Sequence, residues 1–275
     1  MRLFILVLAF SAVFSHHIVA QTKDQAPAQK VVSGTVLLNN KTPLDAKVLL
    51  AALKKDWKLK TDSANIAEKT IVFTGPGAAT VMIAFLDYPV PSGEIATAAR
   101  ISWLWKNGAD EALRHQSQAV ISVIGMESKS LDLHKLFTSV AGGVLENTNA
   151  SGIYMADQYL LLSKGFYTSA ARNMRDNQTI PVYCWVYFGM TQDKELNSGY
   201  TWGLQEFGLT EMEIVQSKQP LADVHAVLYD AASTVLQYNL QLQDGQTLTT
   251  IEGQKLPVKR SKAVYQEGET LKIEY

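Results

Sequence analysis

The chain has 275 residues, 47% of them apolar and 19% charged, with 25 basic and 26 acidic side chains and one cysteine. That length and apolar content suffice for a sizeable core, and a near-neutral balance without basic runs excludes nucleic acid and anionic membrane surfaces as partners. A single thiol excludes an internal disulfide, so the fold rests on packing.

The first element is a targeting segment. Arg2 is followed by an apolar run from Leu3 to Phe14, broken only by Ser11. This is a signal-peptide core, shorter than the roughly 20 residues of a membrane span. Cleavage is expected between Ala20 and Gln21, although Ile18 is bulky for the third position before the cut. No cysteine flanks that bond, so no lipid anchor is indicated. Residues 1–20 are read as signal peptide, 21–30 as a polar, flexible leader, and 31–275 as a single α+β domain, either one body or two fused sheet units, 31–125 and 126–275. Removing residues 1–20 leaves 24 basic and 26 acidic side chains and three histidines. The expected location is periplasmic or extracellular, without a stable membrane anchor.

Residues 31–38 (VVSGTVLL) read as a strand. Pro43 opens an amphipathic helix in which Leu49, Leu53 and Trp57 repeat at helical spacing. Residues 70–75 and 80–87 are strands joined at Gly75-Pro76-Gly77. YPVPSGE is a stop and restart, with Ser92 as N-cap and Glu94 at the positive end of a helix over 93–105. Residues 118–125 form the next strand. The order strand, helix, strand, strand, helix, strand is that of a ferredoxin-like βαββαβ unit, with helices on one face of a mainly antiparallel sheet. SLDLHKLFTSVAGGVLEN is a helix, SGIYMADQYLLLS a strand pair or one bent strand, and GFYTSAARNM a short helix. TIPVYCWVYFGM is a strand that buries Cys184 as an inert thiol. PLADVHAVLYDAASTVLQYNL is the longest helix, and the turns Asp244-Gly245, Glu252-Gly253 and Glu267-Gly268 divide the remainder into short strands. The fold class is α+β.

YTWGLQEFGLTEMEI (residues 200–214) concentrates the candidate chemistry. With Gly208-Leu209 as a two-residue turn, Glu206 faces Glu211 and Leu204 faces Glu213. Trp202, Leu204 and Glu206 then share a face with Glu211, Glu213 and Val215. Like charges so placed destabilise a strand pair by up to roughly 1 kcal/mol. Solvent, a bound cation or an arginine would relieve them, and a general acid/base pair is a further use of neighbouring carboxylates. A hard cation wants about six to eight oxygens, which this stretch does not supply. No metal is assigned, and no cofactor is implied.

Arg100 is the arginine candidate. It is the only charge after the first turn of a helix that is apolar nearly all round, so it is expected to be buried and paired, first of all with Glu206, Glu211 or Glu213. An anion pocket or a snorkelling side chain are the alternatives. Among the histidines, His134 and His225 lie at the edges of apolar helical stripes. His115 stands just before a strand, where functional groups occur. HExxH, CxxC, GxSxG and phosphate-loop signatures are absent, and GPGAAT is a turn between strands. Asn40, Asn149 and Asn177 match the glycosylation pattern, which matters only in a eukaryotic source.

VMIAFLDYPVPSGEIATAARISWLW, RHQSQAVISVIG, GIYMAD and YTWGLQEFGLTEMEI, followed by the long helix and a DGQT turn, resemble the bacterial domain of unknown function 4261 family from about Thr80 to the C-terminus. The resemblance implies a bacterial α+β protein and supplies no catalytic residues. Ser117-Gln118 stands where the family has a further histidine after the counterpart of His115, which speaks against a paired-histidine metal site.

The expected function is a non-catalytic, exported binding domain for a protein or small ligand, with Arg100 and Trp202 as candidate contacts. A hydrolase using the hairpin carboxylates with His115, and an immunity-like toxin-neutralising protein, are the alternatives. The first needs Glu206, Glu211 or Glu213 to meet His115 or Arg100 in a pocket. Binding needs an exposed apolar patch or open sheet edge.

Overall fold

The structure, a computed structural model, describes residues 29–61, 64–106, 108–125, 129–250 and 252–275. Residues 1–28, which hold the expected signal peptide and most of the expected leader, lie outside the described residues.

β1 (Lys30–Leu38) sends Val32, Val36 and Leu38 into the main core. α1 (Ala46–Lys55) starts at Asp45, whose carboxylate accepts the N–H groups of Lys47 at 3.0 Å and Val48 at 3.1 Å, donors that would otherwise lack a partner. The expected stripe of Leu49, Leu53 and Trp57 is buried. β2 (Asn65–Ala67), β3 (Thr70–Thr74) and β4 (Thr80–Leu86) form a meander. α2 (Ser92–Ile101) and α3 (Gly108–Ala112) lead to β5 (Ser117–Gly125). α4 (Ser130–Glu146), β6 (Ala150–Met155), β7 (Leu160–Ser163) and α5 (Lys164–Asn177) follow. The order is β2-β3-β4-β5-β1-β6-β7, with every neighbouring pair antiparallel.

This order departs from the ferredoxin-like expectation, in which β1 would lie between β4 and β5. Leu86 pairs with Gln118, so the link through α2 and α3 leaves and re-enters the sheet at the same end, and β4 and β5 are direct neighbours. Helices also cover both faces rather than one. α1, α4 and α5 pack on the face carrying Val36, Ile83, Ile121 and Ile153. α2 and α3 sit on the other face, where Val90, Ile95, Ala98, Trp105 and Ala112 close over Leu37 and Leu161.

β8 (Tyr187–Asp193), β9 (Leu196–Trp202), β10 (Met212–Ser217), α6 (Leu221–Tyr238), β11 (Thr247–Thr249), β12 (Lys255–Lys262) and β13 (Glu269–Ile273) build a second sheet. Its order is β11-β12-β13-β10-β9-β8, and β10 runs parallel to β13. The change of sheet therefore falls after α5 rather than at 125/126. Cys184 belongs to a 3-10 turn (Val182–Cys184) ahead of β8, not to the strand, and is fully buried. One continuous core holds side chains of both sheets and of the helices between them, among them Ile121, Ile273, Phe137, Trp185 and Leu228. The Trp185 indole donates to Thr138 Oγ1 at 2.9 Å within it.

α2 and α3 pack on β6 and β7 at one end of the first sheet's far face; among the described residues the remainder of that face is half-buried, with Val31, Thr74 and Thr80 exposed. There β3, β4, β5 and β1 align Val72, Met82, Ser122 and Ser33 in one row. Thr74, Thr80, Ile124 and Val31 form the row on one side, and Thr70, Ala84, Val120 and Thr35 the row on the other. No position in these rows carries a charge, and their apolar side chains belong to neither core cluster.

Candidate functional site

The bend between β9 and β10 is wider than a two-residue turn. Gly203 takes φ +122°, and a Cβ there would lie 2.5 Å from the Trp185 carbonyl oxygen. The chain then winds into a 3-10 turn (Leu204–Phe207) that Gly208 ends in the left-handed region at φ +72°. Glu213 consequently pairs with Tyr200 rather than with Leu204. The three carboxylates part company, which corrects the shared acidic face.

Glu206 points to solvent on the 3-10 turn. Partial burial, and then the Asp157 carboxylate, raise its pKa. Glu211 is 2% exposed and caps the turn. Its Oε1 accepts the N–H groups of Gly203 at 2.7 Å and Gln205 at 3.1 Å, and its Oε2 accepts the Thr201 hydroxyl at 2.7 Å. Thr201 Oγ1 in turn accepts the Met212 N–H at 2.8 Å. Burial raises the Glu211 pKa, against the pull of these donors.

Glu213 is fully buried and holds a different part of the chain. Lys272 Nζ lies 2.6 Å from its Oε2, and the amides of Val264 and Tyr265 donate to it at 3.0 to 3.2 Å. Burial alone would raise its pKa, but the Lys272 ammonium and the two amides outweigh that and hold it below the usual range. The cation expected from Arg100 is thus supplied by Lys272, a residue not singled out from the sequence. Its one signal was position: Lys272 stands between the apolar residues Leu271 and Ile273 of a strand.

Arg100 is exposed at the end of α2, where its guanidinium donates to Thr97 Oγ1 at 3.3 Å. α2 buries only Ile95 and Ala98, and Ile101 and Trp103 are 37% and 46% exposed. A helix apolar nearly all round is thus only half covered, and among the described residues no carboxylate pairs with its arginine. Trp202 is half-buried; its indole donates to the Asp157 carbonyl at 2.8 Å and its ring leans on Tyr159, 5.4 Å between centroids. It ties the β6–β7 turn to the second sheet.

His115 is not near the bend. It is 5% exposed in the α2–α3 layer, where Nε2 accepts the Val90 N–H at 2.8 Å and Nδ1–H donates to the Ala112 carbonyl at 2.5 Å. Both ring nitrogens are engaged by backbone in one neutral tautomer, and burial lowers its pKa. The hydrolase arrangement of His115 with Glu206, Glu211 or Glu213 is not formed. His134, read as a boundary residue, is 1% exposed: Nδ1 meets the Ser130 carbonyl at 2.8 Å, Nε2 has no partner, and the ring lies 4.3 Å from that of Phe207. Burial pushes its pKa down to about 4. His225 stands among Trp103, Tyr183, Phe188 and Tyr229. Burial also lifts the Cys184 thiol far above its ordinary value, which removes it as a nucleophile at neutral pH.

Among the described residues, no group of three or more His, Cys, Asp or Glu side chains is placed to hold a metal ion, and no helix is long and apolar enough to cross a membrane. Residues 200–274 match the family model described as Domain of unknown function (DUF4261). The match begins in β9 and takes in β10, α6 and β11 to β13; β8, the YPVPSGE stretch and the first sheet lie outside it. No curated protein and no solved structure matches the chain.

Proposed function

We propose that this chain, a DUF4261-type sheet joined to an antiparallel first sheet, is an exported bacterial binding domain that carries out no chemistry of its own. The observation that carries this reading is the far face of β3, β4, β5 and β1, half-buried to exposed among the described residues. Four strands there present Val31, Val72, Met82, Ala84, Val120 and Ile124 with serines and threonines between them and no charge. Depletion of charge in an uncovered patch is the composition of an interface core. The rest of the chain supports the reading: Glu211, Glu213 and His115 are occupied by the protein's own amides, carbonyls and Lys272.

Export is supported by the apolar run after Arg2. The test is made in a bacterial host expressing the full chain with a photo-crosslinking residue at Met82 or Ile124, and at Lys259 of the second sheet as control. The protein is expected in the envelope fraction with Gln21 at its N-terminus, and Met82 and Ile124, but not Lys259, give a discrete crosslinked species. Retention of residues 1–20 in the cytoplasm contradicts export. No adduct from either face position contradicts the binding role.

A further inference from the structure

We infer that the occupant of this far face is a second copy of this chain, packed sheet against sheet about a twofold axis; this rests on the binding reading above. In a twofold interface the same patch meets itself, so a charge near the axis faces its own copy. A hetero-partner is ordinarily steered and held in register by complementary charges, whereas the three rows here contain none. A face without charge meets its own copy with no such repulsion near the axis.

The relief of the face agrees. Ser122 and Ser33 are neighbours in the middle row, with Ala84 in the next, and they form a low centre. Met82, Ile124 and Val120 stand around it. On a twofold partner, raised side chains of one copy fall into the low centre of the other. Two right-twisted sheets pack this way at about 10 Å separation. Among the described residues the position is reachable as well: β2 and β3 end the sheet on one side, α2 and α3 pack beyond Leu37, and the face between is half-buried to exposed.

Strand spacing of about 4.8 Å and a two-residue repeat of about 6.8 Å give the rows a footprint of roughly 400 Å². Two faces with their rims bury roughly 1,000 Å², the lower end for specific association, so the dimer is expected to be a weak, reversible one.

The experiment is sedimentation velocity with light scattering on the purified protein from about 1 to about 200 µM, since association of a weak dimer depends on concentration. The mass is expected to double across it. Met82→Lys and Ile124→Lys each weaken association at least tenfold with unchanged circular dichroism, and Lys259→Glu leaves the dimer intact. Thr35→Lys on the same face serves if either variant loses its native spectrum. A monomer at every concentration, or a dimer indifferent to all the face variants, overturns the proposal. If the protein is monomeric but position 82 crosslinks a different protein in the host, self-association fails while the binding reading stands.

Discussion

Lys272 Nζ lies 2.6 Å from Glu213 Oε2, with the carboxylate wholly buried, and this pair joins the last strand to β10 where the second sheet runs parallel. Removing one partner of such a pair leaves an uncompensated buried charge, at a cost of about 3–5 kcal/mol. Lys272→Met is expected to lower urea stability by that order. The double variant Glu213→Gln with Lys272→Met recovers most of the loss, because both charges are then gone and the Gln oxygen still accepts the Val264 and Tyr265 amides. Equal losses in the single and double variants would show that Lys272 acts through packing alone.

Glu211→Ala removes the acceptor for the amides of Gly203 and Gln205 and for the Thr201 hydroxyl. A loss of about 2 kcal/mol is expected, in the range for orphaned buried donors. Hydrogen exchange locates it: the Gly203 and Gln205 amides lose protection first. Uniform loss across both sheets would contradict a local capping role.

His134 gives the stability a pH dependence of known sign. Its folded pKa, about 4, lies below the ordinary 6.5, so between these values the unfolded chain binds the extra proton. The contribution is present above pH 6.5 and is lost as pH falls toward 4, by about 2 kcal/mol between pH 7 and 5. His115 and His225 are also lowered and act in the same direction, so the readout is a difference. Urea midpoints at the two pH values are expected to move less in His134→Leu than in the wild type. Equal movement would assign the dependence to the other groups.

Arg100→Met and Arg100→Ala are both expected to leave stability within about 0.5 kcal/mol, as surface substitutions do. A loss of several kcal/mol in Arg100→Ala alone would restore a buried role that the structure does not give it.

What was legible in the sequence is what local periodicity encodes. Leu49, Leu53 and Trp57 declare a buried helical stripe because their spacing needs no knowledge of the partner. The glycine turns at Gly245, Gly253 and Gly268 are likewise local, and all three have positive φ. The α+β class follows from such elements.

Order within the sheet is not local. Whether β5 settles beside β4 or beyond β1 depends on where the α2–α3 link packs, and that is fixed by contacts with Leu37 and Leu161 from distant strands. The carboxylates failed as a site for a similar reason. Glu211 and Glu213 are two residues apart, but one is held by the turn before it and the other by residues 264–272. Gly208 suggested a tight turn, whereas the backbone freedom that mattered lay at Gly203. Arg100 was misplaced because an apolar helix need not be covered on every side.

The central claim is that the uncharged face is covered when the protein is at work, and cysteine labelling of Ser122→Cys measures this directly. The native thiol, Cys184, is buried and does not compete. Position 122 is expected to react with a polar maleimide in dilute purified protein and to be protected in the host envelope. Equal reactivity in both settings would contradict the claim.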